Sequence, residues 1–335
     1  MIKEEKIMVN SLEINTPIRV GLVGTGFVAK LRAEILQQDL RAKLVAVVGS
    51  TPEKTAEFAQ KYAVEAIASV EDLVSLDIDL VIVATINSEH GSVCHQALQH
   101  GKHVVVEYPL SLDVHEAEEL INLANRQNKL LHVEHIELLG GLHQALKENL
   151  SATGNPFYAR YSTLNHQSPA PQRWTYNKEL FGFPLSGAVS RLHRLTDLFG
   201  TVATISCQNR YWGMDGEFYK ACLCTTQLQF TNGLIAEVVY GKGETIWIDE
   251  RKFTVDGEKG GLSFDKEDGK LINAEGTKLI EVGTRRGLFA QDTDMLLNHL
   301  INGTQLYVSS TASLYALKVA DAARRSAQTG QTVAL

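Results

Sequence analysis

Gly24, Gly26 and Ala29 stand at G-x-G-x-x-A spacing, directly after an apolar run and at the start of a helical pattern. The first glycine permits a tight turn, the second lets backbone approach a pyrophosphate, and the small alanine allows close helix–strand packing. The helix N-terminus then offers N–H groups and a partial positive charge to phosphates. This predicts a dinucleotide cradle of Gly24, Thr25, Gly26, Phe27 and Val28. At the end of the next strand, an NAD site would place a carboxylate on the ribose hydroxyls. Ser50, Thr51 and Lys54 stand there instead. Two hydroxyls and a cation suit a 2′-phosphate, so NADPH is expected, with NADH as the weaker alternative. Glu53 is counter-evidence, unless it only complements the dipole of its helix.

Arg191 and Arg194 lie three apart in a helical stretch and share a face, with Val189, Leu192, Leu195 and Leu198 as its apolar stripe. Paired guanidinium groups fit bidentate binding of carboxylates. Tyr108 follows the C-terminal end of a strand, where doubly wound sheets bind ligands. It can pack on a nicotinamide, face the substrate or donate a hydrogen bond. Arg173 and Trp174 form a pair that either closes over the nicotinamide or serves as structure. Reading 131–137 as one strand puts His132 and Glu134 on one face, His135 and Glu137 on the other. A metal is not expected in this cluster, since hydride donation from a nicotinamide needs no Lewis acid. One histidine is then a core residue, and His135 is assigned to the substrate side. Arg285 and Arg286, flanked by Gly283 and Gly287, either cover anionic groups or sit in solvent. Cys222 and Cys224 alternate on one strand face as small core residues.

The elements that must hold these residues follow from hydrophobic period. Ile18–Gly24, Leu44–Val48, Asp79–Thr85, His103–Glu107 and Leu130–Glu134 are strand-sized apolar runs. Helical patterns at Val28–Gln38, Pro52–Tyr62, Ser92–His100 and Asp113–Arg126 separate them. Strands apolar on both faces, alternating with helices, predict a doubly wound parallel sheet. Beyond it, Pro156–Leu164, Val202–Tyr211, Tyr219–Phe230, Leu234–Tyr240, Arg251–Val255 and Gly261–Phe264 read as β-strands, with a hairpin turn at Asn232-Gly233. Leu185–Phe199 and Ser310–Ala327 read as helices. The expected fold is an α/β N-terminal Rossmann domain plus an α+β C-terminal domain with a large, mostly antiparallel open sheet. The divisions are a flexible leader 1–16, a dinucleotide domain 17–130, a substrate domain 131–310, and a terminal helix and tail 311–335 that can pack back on the first domain.

The chain has 335 residues, 44% apolar and 21% charged, enough for two domains with a core that needs no staples. Four cysteines without a CxxC pair rule out a disulfide scaffold. No apolar run approaches the ~20 residues of a membrane span, and the first fifteen residues do not read as a signal peptide. A cytoplasmic setting is expected, with no membrane partner. The formal charge of −7 argues against nucleic acid as a partner. Oligomeric state stays open.

The runs Val83-Ala84-Thr85-Ile86-Asn87-Ser88-Glu89-His90 and Val105-Val106-Glu107-Tyr108-Pro109 resemble the glucose-fructose oxidoreductase and inositol dehydrogenase superfamily, whose members carry A-T-P-N-x-x-H and E-K-P there. The resemblance covers the chain from Ile18 onward. It implies that Thr85, Ile86, Asn87 and His90 line the nicotinamide ribose, with Glu107 on the cofactor ribose or bracing the turn. In that superfamily the lysine of E-K-P, with an aspartate and a histidine of the second domain, handles the hydroxyl proton of a sugar alcohol. Here Tyr108 replaces the lysine, and Arg194 stands where the histidine is expected. Arginine does not deprotonate, and an unperturbed tyrosine has a pKa near ~10. His193 is a possible rescue, but it is turned about 100° from Arg194 on a helix.

Leu131–Gly141, Pro169–Tyr176 and Phe181–Pro184 add a closer resemblance, to the cyanobacterial bilin-reducing branch of the superfamily. That branch implies NADPH-dependent reduction of biliverdin IXα to bilirubin, with hydride going to the central methine carbon and a proton to a pyrrole nitrogen. It makes Arg191 and Tyr108 the catalytic residues. It assigns Tyr108, His135, Arg173, Trp174, Arg191 and Arg194 to the bilin, the two helix arginines meeting its two propionates. The rival readings are a sugar or cyclitol dehydrogenase and a non-catalytic bilin or nucleotide sensor.

Overall fold

The computed structural model describes residues 16–335, so the expected leader lies outside them apart from Thr16. The first domain alternates strand and helix: β1 (Ile18–Val23), α1 (Phe27–Gln38), β2 (Ala42–Val48), α2 (Pro52–Tyr62), β3 (Glu65–Ala66), α3 (Val70–Ser75) and β4 (Leu80–Val83). Then come α4 (His90–Gln99), β5 (His103–Glu107), α5 (Val114–Arg126) and β6 (Leu131–Glu134). The six strands run in the order β3-β2-β1-β4-β5-β6, and every pairing is parallel. β4 is buried along its whole length, as strands covered by helices on both faces must be. β6 belongs to this sheet, so the sheet runs past the boundary expected at 130. Helix starts are fixed locally: Thr51 caps α2 ahead of Pro52, and the Asp113 carboxylate accepts from two N–H groups opening α5.

The second domain opens with α6 (Gly141–Asn149) and β7 (Pro156–His166), then the short helices α7 (Lys178–Phe181) and α8 (Pro184–Gly187), and α9 (Ser190–Phe199). The helix expected over 185–199 is thus two. Pro184 starts the first, and the chain turns at Ala188 before the second begins. Seven strands follow: β8 (Val202–Trp212), β9 (Ala221–Phe230), β10 (Ile235–Gly243), β11 (Glu250–Gly257), β12 (Gly260–Asp265), β13 (Asp268–Asn273) and β14 (Gly276–Glu281). The chain ends with α10 (Leu288–Asn302), α11 (Ser310–Thr329) and β15 (Val333–Ala334). The nine-stranded sheet has the order β14-β13-β12-β11-β7-β10-β9-β8-β15, antiparallel except for β7 with β10. α6, α9 and α11 cover one face, where their side chains share a core with those of β7 to β12.

Two late helices weld the domains. α10 sends Leu296, Leu297 and Leu300 into the cluster around Ile18, Val20 and Ala33 of the first domain. Three buried leucines contribute several kcal/mol at roughly 1.5–3 kcal/mol each. Arg32 of α1 and Asp292 of α10 pair at 2.6 Å with no exposure on either side. α11 packs on β8 and α9, and its Leu317 enters the other first-domain cluster. These contacts brace the junction between the two domains. Among the described residues no helix is long and apolar enough to cross a membrane.

Candidate active site

The cradle is built as its spacing demands. Gly24 has φ +121°, and a Cβ there would overlap the Ala84 carbonyl beyond β4. Its N–H donates to Val48 at 2.7 Å, locking the loop to β2. Gly26 opens α1 without any side-chain cap and faces open space where its Cβ would be. The uncapped first turn leaves N–H groups for an anion, and the missing Cβ leaves room for it, so the residues fit a pyrophosphate. Phe27 is exposed and Val28 half-buried beside Thr25. Ser50 and Lys54 are exposed at the head of α2. Thr51 is committed to the helix: its hydroxyl accepts from the Lys54 N–H at 3.3 Å and meets the Glu53 carboxylate. The 2′-phosphate reading thus falls mainly on Ser50 and Lys54.

Beyond β4, Thr85 and Ile86 are half-buried, with the Thr85 hydroxyl donating to Glu89. Asn87 and His90 turn inward, against the expectation that they line the cofactor. A short 3-10 turn over Asn87–Glu89 rotates them into the protein. Asn87 donates to the Phe181 carbonyl at 3.0 Å, reaching the second domain. The His90 ring sits between the carbonyls of Pro109 (2.7 Å) and Thr85 (3.3 Å), and burial lowers its pKa. Both residues brace the strand ends that carry Thr85, Glu107 and Tyr108.

Tyr108 is half-buried directly after β5, its ring stacked on His135 at 5.4 Å and 7°. His135 in turn meets His193 edge-on at 4.1 Å. The strand expected over 131–137 stops at Glu134. His135 leaves the ladder at φ −141°, ψ 53°, and a 3-10 turn follows, so alternation no longer decides its face. His135 is buried and bonded through Nε2 to the Ser313 hydroxyl at 2.8 Å. In this position it backs the Tyr108 ring.

The two helix arginines share a sheet face but not a state. Arg194 is 1% exposed and gives Nη2 to Glu137 at 2.9 Å, its guanidinium over Tyr161. Glu137 also takes Arg285 at 2.8 Å and lies 3.6 Å from Arg251. Burial would raise this carboxyl, but Arg194, Arg191 and Arg285 hold it below the usual range. Arg194 is thus committed to Glu137. Arg191 is half-buried, donates from Nη1 to the Ser190 hydroxyl at 2.8 Å, and lies 5.7 Å from the Tyr240 ring. Among the described residues no carboxylate bonds it directly. Arg173 is exposed, its Nε donating to Thr175 at 2.9 Å, and Trp174 packs half-buried 6.0 Å from Phe181.

Lys242 of β10 escaped the sequence reading. It is buried, donates to the Thr175 carbonyl at 2.5 Å, and lies 3.8 Å from the Phe181 ring, with Tyr176, Tyr219 and Tyr240 around it. Burial, then the cations Arg173 and Arg191, lower its pKa to about 8. Its only signal was a lysine on a strand otherwise facing the core; the aromatic ring set comes from distant segments.

The titrations narrow the chemistry. Burial pushes Tyr108 up to about 12, although Arg191 opposes this. Burial pushes His193 down to about 4 and His135 well below its usual value, so both are neutral at neutral pH. Arg191 stays protonated: burial opposes the charge, but the tyrosine oxygens and Glu137 more than offset it. Lys242 moves toward neutrality where Arg191 does not, and its Nζ is enclosed by rings and held by a carbonyl. The site offers a fixed cation beside a neutral phenol and no free base near pH 7.

Residues 18–135 match the model of the GFO/IDH/MocA oxidoreductase family's NAD-binding Rossmann fold, and residues 147–335 match that of its C-terminal alpha/beta domain. The crystal structure of biliverdin reductase from Synechocystis sp. PCC 6803, in complex with biliverdin and NADP+, is 51% identical with a TM-score of 0.91. That likeness covers 93% of this chain and 100% of the other. Biliverdin reductase A of Mus musculus is 28% identical over 293 residues, 87% of this chain and 88% of the relative. The human protein of the same name is 29% identical over 70% of each chain.

Proposed function

Because the chain belongs to the GFO/IDH/MocA oxidoreductase family, we propose that it reduces biliverdin IXα to bilirubin with NADPH as hydride donor. The observation that carries this reading is the exchange of the proton-handling lysine for Tyr108 together with an uncommitted Arg191. An alcohol dehydrogenase must take a hydroxyl proton near neutral pH, and neither group does so. A reductase of a conjugated anion needs the reverse, a cation where negative charge gathers.

When bound, NADPH supplies the hydride that the central methine carbon accepts. The chain's own residues then do the following. Gly24 and Gly26 hold the pyrophosphate against the α1 N-terminus, and Ser50 with Lys54 receive the 2′-phosphate. Tyr108, fixed from behind by His135, presents a neutral hydroxyl and a flat ring at the cleft. Arg191 holds a propionate or lactam oxygen and stabilises the electron pair arriving on the tetrapyrrole. It also orders the water or propionate that passes a proton to the pyrrole nitrogen, since it cannot release its own. Trp174 and Arg173 close the outer edge. A cytoplasmic setting belongs to the same proposal.

The test mixes purified protein with biliverdin and NADPH and follows the long-wavelength bilin band as a yellow product forms. Absence of turnover from acidic to neutral pH would sink the reading. Oxidation of inositol or glucose with NADP+ would move the chain to sugar chemistry, and bilin binding without turnover to sensing.

A further inference from the structure

Three carboxylates, Glu107, Glu134 and Asp292, converge on one guanidinium behind the nicotinamide end of the cleft. Arg32 contacts Glu107 at 3.1 Å and Asp292 at 2.6 Å. Asp292 is further satisfied by His132 and the Tyr307 hydroxyl, each at 2.9 Å. Among the described residues Glu134 has no cation of its own. It is 1% exposed, accepts from the Ile136 N–H, and stands beside Glu107 across the β5–β6 ladder. The pairing is built into the sheet, because Glu107 and Glu134 are register partners at the C-terminal ends of β5 and β6. Two carboxyl groups side by side at the buried end of a sheet cannot both ionise cheaply. The other titratable groups facing the pair are Tyr108, Tyr307 and His90.

We propose that Glu134 carries a proton turned toward Glu107, and thereby sets the negative charge presented to the nicotinamide. This rests on the cofactor reading above and not on the bilin. Burial first, then the Glu107 carboxylate, pushes Glu134 well above the usual carboxylate range. Glu107 is the more exposed member, with 13% side-chain exposure, and it ends β5, the strand next to β4 on the side away from β2. In this topology that side receives the nicotinamide, while the tip of β2 receives the adenosine ribose. Glu134 is therefore a positioning residue that acts through Glu107.

The consequence is a proton linkage between the two redox forms of the cofactor. Oxidised nicotinamide carries a positive charge and reduced nicotinamide none, so loss of this proton favours NADP+ over NADPH. The ratio of NADP+ to NADPH affinity should be flat at low pH and climb as the pair titrates. A rise on the order of tenfold is expected from one charge acting over about 10 Å of partly screened protein. Titration of the full-length chain with each nucleotide, from about pH 6 to 9, measures this without bilin. Glu134→Gln should hold the ratio at its low-pH value throughout, because the amide donates to an ionised Glu107 and nothing titrates. Should that variant not fold, infrared difference spectra of the unaltered protein replace it. A carboxylic-acid C=O band should weaken on adding NADP+ more than on adding NADPH. A pH-independent ratio in the unaltered protein overturns the proton on Glu134, as does an unchanged pH dependence in Glu134→Gln, or no such band at neutral pH. Failure of both nucleotides to bind overturns the cofactor reading and the proposal with it.

Discussion

The two walls of the cleft handle polar groups in opposite ways. The glycine loop keeps its donors unspent: α1 starts without a side-chain cap, and Gly26 fronts open space. The helix wall of the second domain spends nearly every charge internally. Arg194, Arg251 and Arg285 gather on Glu137, Asp197 is taken by His143 and Lys147, and Lys242 lies among aromatic rings. Arg191 stands apart because its one side-chain hydrogen bond goes to a neutral hydroxyl. A pyrophosphate is bound by backbone geometry that any tight turn can supply. A flat dianion with one reactive carbon calls for a single free cation, with its neighbours silenced.

The largest break in that comparison comes from Arg191→Ala. Turnover of biliverdin should fall roughly 100-fold or more, the scale of losing one preorganised electrostatic stabiliser. NADPH affinity should change by less than about twofold, since no cradle residue touches Arg191. Steady-state kinetics alongside nucleotide titration separates the two, and an equal loss in both would place Arg191 in the scaffold. Arg194→Ala sharpens the point: it should lower the melting temperature more than the turnover, because it leaves Glu137 with fewer partners in a buried site.

Gly24→Ala attacks the other wall. The positive φ and the overlap with Ala84 together should destabilise the fold by about 1–3 kcal/mol. NADPH affinity should drop roughly tenfold or more as the loop shifts. Thermal melts with and without nucleotide would show it. A variant that binds normally would mean that the loop tolerates what the geometry forbids.

How much of this was legible in the chain follows the same divide. The cradle could be read because strand, turn and helix are consecutive, and each glycine answers a local demand. The arginine wall could be read only for residue type. Arg194 and Arg191 look equivalent in a helix, and what separates them is Glu137, which the chain reaches from the end of the first domain. The surroundings of His135 could not be read because alternation was carried past Glu134, where the backbone leaves the ladder. β13 and β14 passed unread since a sheet's outer strands need little apolar surface; β14 is exposed at nearly every position. α10 went unread too, although its apolar residues at 296, 297 and 300 were open to a periodicity argument.

A third test asks whether the histidine layer behind Tyr108 is kept neutral. His193 has a folded pKa near about 4 against an unfolded value of roughly 6.5. Between these values the unfolded chain binds the extra proton, so stability is full above the unfolded pKa and falls as pH drops toward the folded one. The loss from one such group is about 1 kcal/mol between roughly pH 6.5 and 5.5. His193→Asn should flatten that part of the stability curve in denaturant titrations. An unchanged slope would mean that the His193 ring is already solvated.

The smallest effect is expected at Lys54, and its size is itself informative. Like Arg191 it is a cation assigned to an anion, but it is exposed at the head of α2. Water and salt screen it, so its contribution falls in the range of surface ion pairs, ~0.2–1 kcal/mol. Lys54→Ala should thus weaken NADPH binding only a few-fold, leave NADH binding unchanged, and lose even that difference at high salt. The Arg191 effect on turnover should survive the same salt, because its guanidinium works half-buried among Ser190, Tyr108 and Tyr240. If both effects faded together as ionic strength rose, the contrast between the two walls would be one of degree only, and burial would not be what gives Arg191 its leverage.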